Sequence, residues 1–139
     1  MNTTVSAELE LQVVSPQRTN MPLVASLFYS SKDPYAIRVV FHDRDGETVE
    51  WIFARDLLST GLQQRDGPGD VTVWPSASFD GGAPGSVLNI ELCSPFGQAH
   101  FEASSRRISD FLRRTYQIIP AGEESEHLDF EAGLRNLLH

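Results

Sequence analysis

The sequence is short of several things. It has one cysteine, Cys93, among 139 residues, so no intramolecular disulfide can form, as expected of a reducing compartment. Apolar stretches are short: no window approaches the 18 or so consecutive apolar residues that a transmembrane helix needs. The opening MNTTVSAELELQVV lacks a basic stretch followed by an apolar run, so no secretory signal is expected and a soluble, cytoplasmic protein is. Positive charge is scarce. Eleven Lys and Arg stand against 19 Asp and Glu, a net charge of −8, which opposes bulk binding to polyanions such as nucleic acid or an anionic membrane.

Catalytic motifs are also missing. There is no G-x-S-x-G and no P-loop. Gly67-Pro68-Gly69 begins a G-x-G, but Thr72 occupies the third glycine's place, and a strand pattern follows where a phosphate cradle needs a helix. The histidines His42, His100, His127 and His139 show no metal-ligand spacing. Asp43-Arg44-Asp45-Gly46 suits a hairpin turn better than a calcium loop, whose glycine falls at position 6. Cys93 has no visible base or cationic setting, so a small buried hydrophobe is expected. The pairs Glu8/Glu10 and Glu47/Glu50 fall on expected wet faces, not in a desolvated cleft. No catalytic residue, cofactor or metal is expected.

What is present is a strong strand pattern. Ala7–Val14 alternates Leu9, Leu11 and Val13 against Glu8, Glu10 and Gln12, the mark of an antiparallel strand with one wet face. Leu23–Tyr29, Ala36–His42, Val49–Phe53, Asp70–Trp74, Val87–Cys93 and Gln98–Ala103 are further strand candidates. Pro75 is expected to halt the fifth, and Ser76–Gly85, with its Asp80-Gly81-Gly82-Ala83-Pro84-Gly85 run, to form a mobile loop. Helical spacing appears over Ala54–Leu62 and over Ser104–Tyr116, where Ile108, Phe111, Leu112 and Thr115 share one face. A second amphipathic helix is expected on Phe130, Leu134, Leu137 and Leu138. The reading is one α+β domain over 1–139, ordered ββββαβββαα, with a curved, barrel-like antiparallel sheet of about seven strands.

The charge is unevenly spread. Arg106–Arg114 carries +3 while the rest of the chain carries −11. Arg106, Arg107, Arg113 and Arg114 form a candidate partner-binding face, with Asp110 spaced to pair with Arg106 and Arg114. The acidic run Glu123–Glu131 offers a possible contact for that face, in the same chain or another copy.

Three further segments carry a resemblance: Asp33-Pro34-Tyr35-Ala36, Gly69-Asp70-Val71-Thr72-Val73-Trp74-Pro75, and above all the block Glu47-Thr48-Val49-Glu50-Trp51-Ile52-Phe53-Ala54-Arg55-Asp56-Leu57-Leu58. Together with Phe111-Leu112-Arg113-Arg114-Thr115, they resemble the SsgA-like proteins of sporulating actinomycetes. The opening Asn2-Thr3-Thr4-Val5-Ser6 is most similar to the SsgB branch. The resemblance implies a whirly-like fold and a trimer. It implies a non-enzymatic cell-division protein, cytoplasmic and at the septum, that helps place the tubulin-like GTPase FtsZ with an SsgA-type protein. No cofactor, nucleic acid or direct membrane insertion belongs to that expectation. Val40 and Ile52, on the faces opposite Ile37/Val39/Phe41 and Val49/Trp51/Phe53, suggest covering by helices or another subunit. The alternative from the whirly-like fold is a single-stranded nucleic-acid binder, which fold likeness alone does not establish.

Overall fold

The computed structural model describes residues 3–15, 20–67, 69–80 and 83–127. Its strands are β1 (Thr4–Val14), β2 (Asn20–Ser30), β3 (Asp33–His42), β4 (Thr48–Ala54), β5 (Val71–Asp80), β6 (Ala83–Ser94) and β7 (Gly97–Ser104). Helix α1 (Arg55–Gly61) follows β4, and α2 (Ser105–Ile118) follows β7. A short 3₁₀ turn covers Glu124–His127. The second C-terminal helix expected on Phe130–Leu138 lies outside the described residues, so the observed order is ββββαβββα.

The strands make one antiparallel sheet in the order β4-β3-β2-β1-β7-β6-β5. Alternation sets its faces: Leu9, Leu11, Ala25, Leu27, Ile37, Val39 and Phe41 are buried while Glu8 and Glu10 are exposed. The sheet curls into a half-barrel. Phe41 of β3 and Phe101 of β7 lie three strands apart, about 14 Å on a flat sheet at about 4.8 Å per strand. Their rings stack with centroids 4.7 Å apart, which requires strong coiling.

The seam at the middle is short. β1 pairs with β7 only at Gln12–Glu102 and Val13–Phe101. Beyond that point the two half-sheets diverge and α2 packs against β1, β6 and β7. The helix forms because Ser104 caps its start, its Oγ accepting from the Arg107 amide at 3.3 Å. Its buried stripe of Ile108, Phe111, Leu112 and Thr115 fits the helical spacing. Helix α1 fills the same end of the half-barrel, against β3, β4 and β5.

One local expectation fails. Residues 76–80 and 83–85 are strand and not loop, and Pro75 does not stop a strand: β5 runs through Pro75, paired with Leu88, and continues until Asp80 pairs with Ala83; Gly81 and Gly82 lie outside the described residues. The reason is position. β5 is the outermost strand, so the N–H that proline lacks can fall on the open side, where no ladder bond is lost. An edge proline also blunts pairing with another chain.

Gly61 packs α1 closely onto β5 and β6. A Cβ there would collide with Val73, its Cβ 2.8 Å away, and stand 3.1 Å from Leu88 Cδ1. Gly61→Ala is therefore expected to destabilise the fold by about 1–3 kcal/mol through overpacking, read as a lower denaturation midpoint. An unchanged midpoint would show that α1 can shift freely on β5.

Candidate functional site

The four arginines singled out in the sequence all lie on α2 and are exposed. They do not act as one unit. Asp110 pairs with Arg113, Oδ1 to Nη2 at 3.2 Å, instead of with Arg106 or Arg114, because the exposed i,i+3 geometry places those two heads together. Arg114 reaches across to β1 and donates to the Ser6 carbonyl at 3.1 Å. Arg106 and Arg107 stand in the first turn, which contains no acidic residue. A helix N-terminus already carries partial positive charge, so this end of α2 concentrates positive potential.

Between α2 and β1, where the two half-sheets diverge, lies a groove of about 460 Å³. Ala7, Leu9 and Phe111 contribute its apolar surface, and Arg106, Arg107 and Arg114 its basic one. Glu8 and Asp110 also line it, so the positive charge is partly offset. Among the described residues the cation–aromatic stacks involve Arg38, Arg55 and Arg65, not the four arginines of α2.

The side chain that organises this end of the molecule is one the sequence reading did not single out. Arg55, the first residue of α1, is 1% exposed. Its Nη1 donates to the Ile119 carbonyl at 2.8 Å and to the Thr115 carbonyl at 3.3 Å. Its Nη2 donates to Glu124 Oε1 at 2.8 Å. The guanidinium lies 4.9 Å from the Tyr29 ring centre and 4.2 Å from that of Tyr116, in cation–π contact with both. Tyr29 in turn donates to the Pro34 carbonyl at 2.9 Å. Burial pushes the Tyr29 hydroxyl's pKa up, and Arg55 opposes the shift. Glu124 is thus taken up by Arg55 within the chain and not by the arginine face of α2. Glu123 and Glu126 are exposed, while Asp129 and Glu131 lie outside the described residues.

The sequence carried a faint signal for Arg55. It is a lone cation between Trp51-Ile52-Phe53 and Leu57-Leu58, where a solvated face would have shown more polar neighbours. Its partner Glu124 sits in an acidic stretch whose composition suits solvent equally well.

His42, His100 and Cys93, from which no site is expected, lie apart. His42 Nε2 and Ser26 Oγ lie 2.8 Å apart and join β3 to β2. His100 Nε2 and Asn89 Oδ1 lie 2.9 Å apart and join β7 to β6. No group of three His, Cys, Asp or Glu placed to hold a metal occurs among the described residues. Cys93 is only half-buried, its Sγ 3.8 Å from Glu91 Oε1; it lies on the sheet face opposite Leu92, not in the core.

Hydrogen bonds from its own amide, and then from Arg55, hold the Glu124 carboxyl below the ordinary glutamate value of 4.5. A depressed folded-state pKa gives stability that is present above the unfolded value and lost as pH falls through the folded one. Glu124→Gln should therefore melt below the unaltered chain at pH 7, and the gap should close as the pH falls through and below 4.5. A gap of the same size at all pH values would show that the carboxylate's charge contributes nothing.

The chain matches a family model described as "Streptomyces sporulation and cell division protein, SsgA" over residues 23–124. It is 51% identical over 130 residues to the sporulation-specific cell division protein SsgB of Thermobifida fusca (strain YX), covering 94% of this chain and 91% of the relative. It is 46% identical over 138 residues to SsgB of Streptomyces coelicolor, covering 99% and 98%. The fold superposes with a TM-score of 0.86 on the crystal structure of the SsgA-like sporulation-specific cell division protein from Thermobifida fusca YX-ER1, at 49% identity over 97% of this chain and 96% of that one. It superposes equally well, at 48% identity over 92% and 98%, on a structure from work in which mutations in SsgB correlate to longitudinal cell division during sporulation of Streptomyces coelicolor. The half-barrel, its strand pattern and these likenesses along nearly the whole chain agree: the chain belongs to the SsgA family of sporulation and cell-division proteins.

Proposed function

We propose that this protein is a non-enzymatic, oligomeric adaptor that helps position FtsZ at sporulation septa, together with an SsgA-type protein. The likeness to SsgB-named relatives along nearly the whole chain carries the reading. Two surface features support it. The first is the arginine face of α2, a positive surface on a chain of net charge −8. Arg106, Arg107, Arg113 and Arg114 would meet an acidic protein surface there, where charge complementarity favours rapid and selective encounter. The second is β4, an outermost strand with no proline or lysine to blunt its edge. It leaves Ile52 54% exposed on the outer face, a natural place for another copy to pack in a homotrimer. A place in the cytoplasm at the septum follows from the same role. Among the described residues no helix is long and apolar enough to cross a membrane.

Co-sedimentation with polymerised FtsZ tests the adaptor role. The unaltered chain should pellet with the polymer, alone or with an SsgA-type protein present; failure in both settings would overturn the reading. The double variant Arg106→Glu, Arg107→Glu should pellet at least about tenfold less. Folding is a poor explanation for that loss, because acids in the first turn suit the helix dipole and Glu at 107 completes a capping box with Ser104. Undiminished pelleting would remove α2 as the contact. Tight, steeply salt-dependent binding to a labelled single-stranded oligonucleotide would instead favour a nucleic-acid role.

Light scattering tests the assembly. The unaltered chain should show the mass of three copies, and Ile52→Lys the mass of one. A single-copy mass for the unaltered chain would overturn the trimer.

A further inference from the structure

Helices α1 and α2 fill one end of the half-barrel, and among the described residues no helix covers the other end. There the concave face forms a groove of about 420 Å³, within the usual range of about 300–1,000 Å³ for ligand sites. Its surface is mostly apolar, with Leu23, Phe41, Trp51, Leu92 and Phe101 along it. Two apolar side chains at its margin are left in water. Val49 of β4 is 55% exposed, and Phe96, at the tip of the β6–β7 hairpin, is 99% exposed. A fully exposed phenylalanine adds nothing to the core. Beside an apolar groove it is placed as an anchor for something that docks.

The charge at the margin narrows what that is. Asp43 lines the groove. The β3–β4 turn beside it adds Asp45 and Glu47 against one cation, Arg44, and all four side chains are exposed. The turn is held by the Asp43 amide donating to the Glu47 carbonyl at 2.8 Å, so the acids stay together at the lip. An acidic lip disfavours an anionic lipid surface. It also disfavours a second copy of this chain, which carries −11 outside Arg106–Arg114 and whose basic helix face presents no large exposed apolar side chain to enter the groove.

We propose that this open mouth is a second docking site, which takes a segment of a partner protein presenting bulky apolar side chains flanked by Lys or Arg. The apolar side chains enter the groove against Trp51, Phe41 and Phe101 and pack under Phe96. The flanking cations meet Asp43, Asp45 and Glu47. The site is built from strands and turns away from α2, so it stands or falls independently of FtsZ binding at the arginine face.

The site contains its own reporter. The chain has two tryptophans, Trp51 and Trp74, and only Trp51 lines this groove. In a Trp74→Phe background, Trp51 emission is followed while two synthetic peptides are titrated in low salt. Both carry a Leu-Phe-Leu core; one is flanked by arginines and the other by glutamates. The arginine-flanked peptide should shift the emission to the blue and bind at least about tenfold tighter, with the difference shrinking in salt. Phe96→Asp should weaken it by about tenfold or more. That variant keeps its fold because Phe96 touches solvent on nearly every side, and an unchanged melting curve checks this. Asp43→Asn with Glu47→Gln should remove most of the preference between the two peptides. Equal affinity for both peptides would overturn the proposal, as would binding that survives Phe96→Asp. So would stronger binding to anionic vesicles than to the arginine-flanked peptide, or self-association that Phe96→Asp abolishes.

Discussion

The guanidinium of Arg55 is the point on which the helical end of this molecule depends. It joins four parts of the chain that share no backbone pairing: Tyr29 from β2, the start of α1, the carbonyls at the end of α2, and Glu124 beyond it. The Thr115 carbonyl already accepts from the Ile119 amide; Arg55 adds a bond there and another at the Ile119 carbonyl, and its charge meets the negative end of the helix dipole. The carboxylate of Glu124 then neutralises a charge that could not otherwise be buried. Such a pair is a weak source of net stability, since desolvation offsets most of the attraction. Its effect is geometric: five donors in a rigid planar fork accept few arrangements of their partners. The angle between α1 and α2, and the path of the chain after Ile119, are therefore held by one side chain.

That geometry decides where the rest of the surface lies. With α1 and α2 fixed inside one end, the curled sheet is closed there by Leu58, Ile108, Phe111 and Leu112, all buried. At the other end β3, β4 and the β6–β7 hairpin supply apolar side chains, and among the described residues no helix covers them. The short β1–β7 seam has a similar result. Because pairing covers only two residues on each strand, β1 and α2 can part, and the basic groove forms between them. Two grooves of opposite lip charge thus arise from one sheet that is too curled to be flat and too open to be a barrel.

Much of this was legible in the residues because it is local. Period-two alternation placed β1, β3 and β4, the Asp-Gly and Pro-Phe-Gly turns placed their hairpins, and the spacing of Ile108, Phe111, Leu112 and Thr115 placed α2. The failures share one cause, which is that the deciding fact is not local. Pro75 interrupts a strand only if both sides of the strand are paired, and edge position is a property of the whole sheet. Arg55 is buried only because Tyr29, Thr115, Ile119 and Glu124 converge on it, the last of them 69 residues away. The pairing of Asp110 with Arg113 turned on rotamers that i,i+3 and i,i+4 spacing both allow. The arginine face was visible because a run of exposed charge on a helix announces itself. The open mouth was not visible, since Leu23, Trp51, Leu92 and Phe101 are each indistinguishable in sequence from ordinary core.

The residues that hold the fold and those that face outward are different residues, and this has a functional consequence. Arg106, Arg107, Arg113 and Phe96 are exposed, so changing them removes little burial. Surface substitutions away from caps, cores and buried pairs usually move stability by less than about 0.5 kcal/mol. Leu58, Phe53 and Arg55, each about 1% exposed, allow no such freedom: large-to-small changes in a core cost about 2–5 kcal/mol, a large share of a domain's total of about 5–15 kcal/mol. A fold divided in this way can keep one half-barrel while altering the charge of the helix face or the apolar lip of the mouth. Differences in charge and apolar surface between proteins built on this scaffold can then arise on α2 and on the β3–β4 and β6–β7 turns, while Phe53, Arg55 and Leu58 stay fixed by packing. On this division, surface character and folding can be changed separately.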